Sequence, residues 1–251
     1  VAVALGIDTG GTYTDAVLVD QGHGAVLAGA KALTTYHDLS IGIEEAVAAA
    51  FGGQAVSPAD VSLVGLSTTL ATNAIVEGRG SPVCLLLIGY DPALIEQYGF
   101  EHDLVTQDVV YLRGGHDGDG NEVEPLDEAA ARQAILARRD RVEAFAVSGY
   151  FSVRNPVHEL RVRALVEELT ASADGRPLPV TCGHELTTRL DSVRRATTTA
   201  LNARLIPLLR ELIATVRRTL DGLGVAAPLM VVKGDGSLVA WLTPARSCRT
   251  D

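Results

Sequence analysis

The sequence predicts an α/β protein built on a mixed sheet. Strand-length apolar runs alternate with helix-period segments from residue 39 onward. The chain opens with three strand-like stretches, 2–8, 16–20 and 25–33, with no room for a helix between them. Its 251 residues are 47% hydrophobic, enough to bury the core of one large domain or two smaller ones.

The elements follow in order. Val, Leu and Ala dominate 2–8 and 16–20, which read as buried strands joined by turn formers. "DLSIGIEEAVAAAF" reads as a helix with Ile41, Ala46 and Val47 on one apolar face. "VSLVGLST" (61–68) is a buried strand, and "TLATNAIVEGRG" a helix ending near Gly78. "PVCLLLIG" (82–89) is again a buried strand, while 91–125 is less periodic and holds the polar tip "GGHDGDGNEVEPLD". A helix over 127–140 takes Asp127 as its cap, and a strand follows at 142–149. "NPVHELRVRALVEELTA" reads as a helix with Asn155 at the cap and Pro156 at the first position. "LPVTCG" is a short strand. A long helix over 191–220 is expected to be interrupted or kinked near Pro207. The stretch 228–240 is a strand with a Gly-Asp-Gly turn.

Composition narrows the partners. A net charge of −10 argues against nucleic acid or an anionic membrane surface. Aromatics at 4% argue against base-stacking platforms. Cys84, Cys182 and Cys248 are far apart and form no CxxC pair, which suggests a reducing cytoplasm and no structural zinc. The opening "VAVALG" is too short for a signal segment, and no apolar run approaches the ~20 residues of a membrane span.

"GIDTGGTYTDAVLVD" (6–20) carries the chemistry. Glycines at a strand end let backbone N–H groups approach an anion, and threonine hydroxyls add hydrogen bonds. Asp8, at the carboxyl end of a buried strand, suits Mg²⁺, usually through water. The stretch is not a Walker A loop, because GxxxxGK[ST] is absent. Nor is it a dinucleotide fingerprint, because a strand follows the glycines. A phosphate-binding hairpin and an ordinary tight hairpin account for these residues equally well.

This stretch resembles the first phosphate motif of the actin, sugar kinase and Hsp70 superfamily. More narrowly, it is similar to the N-terminal part of the hydantoinase/oxoprolinase family. "GLSTTLATNAIVEGRG" (65–80), "AVSGYFSVRNPVHELRV" (146–162), "HELTTRLDSVRRATTTALNARLIP" (184–207) and "PLMVVKGDGSLV" (228–239) extend the resemblance, in order, over most of the chain. It implies an RNase H-like (actin-like ATPase) α/β lobe with helices on both faces and an inserted subdomain at about 91–140. The domains implied are 1–180 for the N-terminal lobe, 181–239 for the start of the second half, and 240–251 for a non-family tail.

The activity implied is ATP- and Mg²⁺-dependent opening of a cyclic amide, a hydantoin or 5-oxoproline, through phosphorylation of its carbonyl oxygen; some members carboxylate ketones. By position, Asp8 would serve the metal. Thr9, Gly10, Gly11, Thr12 and Thr14 would cradle phosphate, Thr68, Thr69 and Asn73 would line the cleft, and Asp235 and Gly236 its far side. No catalytic residue is assigned. A second hydantoinase subunit, or a second copy of the chain, would be the protein partner.

The family pattern stops after Val239, where "AWLTPARSCRTD" follows. A second Asp-Gly-Gly-Thr-like turn is not found, so the chain reads as truncated or frame-shifted. Two further readings follow: a non-catalytic remnant or interaction module, and a sugar or acyl kinase relative.

Other residues have bland readings. "DGDGNEVEPLDE" (117–128) places Asp117, Asp119, Asn121 and Glu128 at calcium-loop positions, but Glu122 stands where glycine is needed, so a polar hairpin tip is preferred. His184 is expected at the surface or in a capping role, and Cys182 as a buried, inert thiol. Arg189, Arg194 and Arg195 are expected on a solvated helix face. Three threonines at 197–199 are unfavourable in a helix and hint at a functional or packing surface.

Overall fold

The structure is a computed structural model that describes residues 2–35, 38–53, 56–69, 73–75, 78, 80–173, 175–232 and 237–240. Tertiary packing divides the chain into two units, 1–77 with 210–251, and 78–209. Each is built on its own sheet.

The first unit begins with the meander that the sequence requires. Strands β1 (Val3–Thr9), β2 (Tyr13–Asp20) and β3 (Ala25–Leu33) are consecutive antiparallel neighbours. On its other edge β1 pairs in parallel with β4 (Val61–Thr68), which pairs in parallel with β11 (Leu229–Val232). A last strand, β12 (Leu238–Ala240), closes the order β12-β11-β4-β1-β2-β3. This is the mixed, RNase H-like sheet that the resemblance implies. Register follows from alternation: Leu5 faces Leu18 and Val64, and Ile7 faces Ala16 and Leu66, giving a continuous apolar face.

Helix α1 (Leu39–Phe51) lays Ile43, Ala46, Val47 and Ala50 on that face, beside Leu212, Ile213, Val216 and Leu220 of the long helix α6 (Ser192–Gly222). The Asp38 carboxylate caps α1 by accepting from Ser40 N–H at 2.9 Å. Gly42 lets α1 approach β3, since a Cβ there would lie 2.5 Å from the Leu33 carbonyl oxygen.

The second unit has a parallel sheet ordered β10-β9-β5-β6. Its strands are β5 (Val83–Ile88), β6 (Val109–Leu112), β9 (Ala144–Gly149) and β10 (Val180–Cys182). Every residue of β5 and β9 is buried, as expected for parallel strands covered on both faces. Helices α3 (Glu128–Leu136) and α4 (Val157–Thr170) cover one face. Short helix α2 (Pro92–Gln97) and the Ala196, Ala200 and Ala203 stripe of α6 cover the other. The hairpin β7 (Gly115–His116) and β8 (Glu122–Glu124), and the single turn α5 (Gly183–Leu186), complete the unit.

Three details differ from the sequence reading. The stretch 228–240 forms two antiparallel strands rather than one. Helix α6 runs through Pro207 without a break, although proline withholds one backbone hydrogen bond. Helix α4 starts at Val157, with Pro156 in the cap position; Asn155 still contributes, its Oδ1 accepting from Val157 N–H at 3.1 Å. Residues 91–140 contain β6 and α3, which belong to the sheet of the second unit and to its covering layer.

Candidate functional site

The turn between β1 and β2 is a tight hairpin of the first unit. Gly10 N–H donates to the Tyr13 carbonyl at 3.0 Å, and a Cβ on Gly10 would come within 3.1 Å of the same oxygen. This close approach is why glycine stands at position 10. Thr34 braces the turn from β3's end. Its N–H donates to the Thr12 carbonyl at 2.9 Å and its hydroxyl to the Gly10 carbonyl at 3.0 Å. Having used its proton there, the Thr34 hydroxyl accepts from Thr14 Oγ1 at 3.1 Å.

Alternation sorts the residues by face. Thr9 and Thr14 pair across the hairpin and are buried. Thr9 Oγ1 is buried with no partner among the described residues, a polar atom left for a ligand or water. Thr14 braces the hairpin from inside. Asp8 and Asp15 pair across it on the other face. Asp15 is held by Lys31 at 3.0 Å, while Asp8 is exposed and has no partner among the described residues. Thr12 stands exposed at the tip, with its N–H and hydroxyl uncommitted among the described residues.

The neighbouring parallel strand ends beside this tip. Thr68 Oγ1 donates to the Thr9 carbonyl at 3.1 Å and Thr69 N–H to the same oxygen at 3.4 Å. Asn73 N–H donates to the Thr69 carbonyl at 2.9 Å, and residues 73–75 are helical. Thus Asp8, Thr9, Gly10, Gly11, Thr12, Thr14, Thr68, Thr69 and Asn73 share one end of the sheet. Asp235 and Gly236 lie outside the described residues.

A second polar cluster lies in the other unit, at the end of β9. Glu159 is fully buried. Its Oε1 accepts from Gly149 N–H at 2.7 Å, and its Oε2 accepts from His184 N–H at 3.0 Å and meets His184 Nδ1 at 2.5 Å. Arg195 is 1% exposed and donates to the carbonyls of Arg189, Gly149 and Tyr150. Arg195 is therefore not on a solvated helix face, contrary to the sequence reading, while His184 is half-buried. A distant segment presents the counter-group of each: Glu159 of α4 for His184, the end of β9 for Arg195. Arg189 and Arg194 are exposed as expected.

Glu159, Cys182 and His184 bring ligand-type atoms within 4.8 Å of one another. Both Glu159 oxygens are committed to hydrogen bonds, and burial pushes the Cys182 thiol up to about 12. The trio forms a closed hydrogen-bonded network, and Cys182 is the inert thiol expected. The Thr197, Thr198 and Thr199 hydroxyls donate back to carbonyls four residues earlier, and Thr197 also to Asp103, so they serve packing. Asp117 is taken up inside its own hairpin tip, accepting from Asp119, Asn121 and the Asn121 side chain. Glu128 pairs with Arg161, so two of the calcium-like carboxylates, Asp117 and Glu128, are committed elsewhere, and Asp127 caps α3.

Comparison with known families gives a match: residues 4–170 fit the model for the hydantoinase/oxoprolinase N-terminal region. The chain belongs to the hydantoinase/oxoprolinase family. Within that family it is 32% identical to caprolactamase subunit alpha of Pseudomonas jessenii, over 93% of this chain and 36% of the relative. It is 30% identical to the acetophenone carboxylase gamma subunit of Aromatoleum aromaticum, over 96% of this chain and 36% of the relative. Among solved structures, the ATP-dependent caprolactamase of Pseudomonas jessenii superposes with a TM-score of 0.71 at 33% identity, covering 94% of this chain and 36% of that one. A nucleotide-free acetone carboxylase superposes with a TM-score of 0.74 at 23% identity, covering 96% of this chain and 38% of that one, and shares the fold. The chain spans about a third of the length of the curated relatives it matches.

Sequence reasoning missed two functional candidates. Asp15 was legible, since Asp8 and Asp15 are equidistant from the centre of the Gly11-Thr12 turn and any regular hairpin pairs them. Glu159 gave no local signal, because its burial depends on β9, β10 and α6 meeting α4.

Proposed function

We propose that the β1–β2 hairpin holds the β- and γ-phosphates of Mg²⁺-bound ATP. The enzyme it serves would activate a carbonyl compound by O-phosphorylation. The observation carrying this reading is the Asp8–Asp15 pair beside a donor-bearing tip. Lys31 compensates one carboxylate and leaves the other free. Like charges directly opposite on a sheet are unfavourable unless a cation joins them. Asp8 would hold Mg²⁺, usually through water, and the Thr12 N–H and hydroxyl would meet phosphate oxygens. The protein's contribution is positioning and charge neutralisation.

The substrate is a lactam-type amide, hydantoin or 5-oxoproline among them, or a ketone. An amide is a poor electrophile, and O-phosphorylation supplies it with a leaving group. The named relatives point to caprolactam, acetophenone and acetone, which share only the carbonyl. Those relatives are subunits, which supports a second, different subunit as partner. The cytoplasm, where ATP is supplied, is the proposed location.

Calorimetric titration of the folded chain with Mg·ATP tests the reading. Binding that weakens at least about tenfold, or about 1.4 kcal/mol, in Asp8→Ala is expected. No heat at millimolar ATP would make the hairpin inherited architecture and the chain an interaction module.

A further inference from the structure

The parallel sheet of the second unit has a topological switch. The chain leaves β5 for β6 on one side and then crosses to β9 on the other. A crevice therefore opens at the carboxyl ends of β5 and β9, the place where open α/β sheets take ligands. A small cavity lies there, lined by Ile88, His116, Gly149, Ser152, His158 and Glu159. The space open to the centre of a water molecule is about 10 Å³, room for one atom-sized occupant.

His116, His158 and Ser152 are 7%, 6% and 3% exposed. His116 Nε2, His158 Nδ1 and Ser152 Oγ are each buried with no hydrogen-bond partner among the described residues. Such orphans are rare, and three around one cavity call for an explanation, of which a bound water or ion is one. The two imidazoles touch, with centroids 4.3 Å apart and planes tilted by 44°. His158 Nε2 lies 2.8 Å from Glu122 Oε1, which favours the tautomer with the proton on Nε2 and the lone pair on Nδ1. Gly114, in the left-handed region at φ +139°, lets the backbone pass this atom: a Cβ there would lie 3.3 Å from His158 Nδ1.

We propose that His116 and His158 bind a divalent transition-metal ion of the zinc class, with the Ser152 hydroxyl or a water beside it. A carboxylate on the far nitrogen of an imidazole is the arrangement that orients metal-binding histidines. Imidazole donors select ions of this class over Mg²⁺ or Ca²⁺. A metal–nitrogen distance of about 2.0–2.1 Å suits a cavity one atom wide.

The test is a titration of the chelator-treated full chain with Zn²⁺, repeated with Co²⁺ for its visible absorption. Stoichiometric binding with imidazole-type Co²⁺ bands is expected, lost in His116→Asn. Glu122 is half-exposed, so Glu122→Gln folds, and it should bind about 10- to 100-fold more weakly. His184→Ala, in the neighbouring Glu159–Cys182 cluster, should bind like the parent chain. Absence of binding by the folded chain would overturn the proposal and leave one buried water as the occupant. Binding unaffected by His116→Asn and Glu122→Gln, or lost in His184→Ala, would overturn it equally.

Discussion

Asp8→Asn should make the chain more stable and a poorer binder of Mg·ATP at once. Asp8 faces Asp15 directly across β1 and β2, which places their Cβ atoms about 5 Å apart. Both carboxylates reach water, so the dielectric is close to that of bulk solvent. At a separation of about 6 Å the repulsion is then about 0.7 kcal/mol. Lys31, 3.0 Å from Asp15, offsets part of it, so this is an upper figure. The substitution should therefore raise the melting temperature by up to about 3 °C for a chain of this size. The gain should vanish near 1 M salt, where the screening length is about 3 Å. Thermal unfolding at low and high salt, without nucleotide, measures the first effect, and calorimetry with Mg·ATP measures the second. A destabilised variant, or a gain independent of salt, would refute the charge-pair argument. A stabilised variant with unchanged Mg·ATP affinity would refute the assignment of Asp8 to the metal.

Three further outcomes are expected. Glu159→Ala strands the Gly149 and His184 N–H groups and the His184 ring, and should cost about 3–5 kcal/mol in urea unfolding; a cost under about 1 kcal/mol would show that the network is not tight. Asp117, Asp127, Glu128 and Glu168 all titrate below their ordinary values, through Asn121, the Ala130 N–H, Arg161 and Arg132 respectively. Unfolding raises their proton affinity, so stability is full above about pH 4.5 and is lost as pH falls through the folded values; a urea midpoint that stays flat down to about pH 3 would contradict this. Burial pushes Cys84 and Cys182 both to about 12, so neither should react with a thiol reagent at neutral pH until the chain unfolds, as mass spectrometry of labelled peptides would show.

The features legible in the sequence are those written locally. The hairpin at 10–12 follows from its turn residues, and the placement of Asp8 and Thr9 on opposite faces follows from the period of a strand. The runs VCLLLI and AFAVSG announce strands buried on both faces, because parallel sheets covered by helices leave no polar side. Asp127 as the cap of α3 needs only its own next three residues. Tertiary structure alone decided the burial of Arg195, His116 and His158. Arg195 looks like a helix-surface arginine until the end of β9, 45 residues earlier, presents its carbonyls. His116 and His158 meet only because β7 and the start of α4 converge at the switch of the parallel sheet. The physical reason is one of range. Turn chemistry and side-chain period act between neighbours along the chain, whereas a charged or polar group can be buried only where distant segments supply its partner.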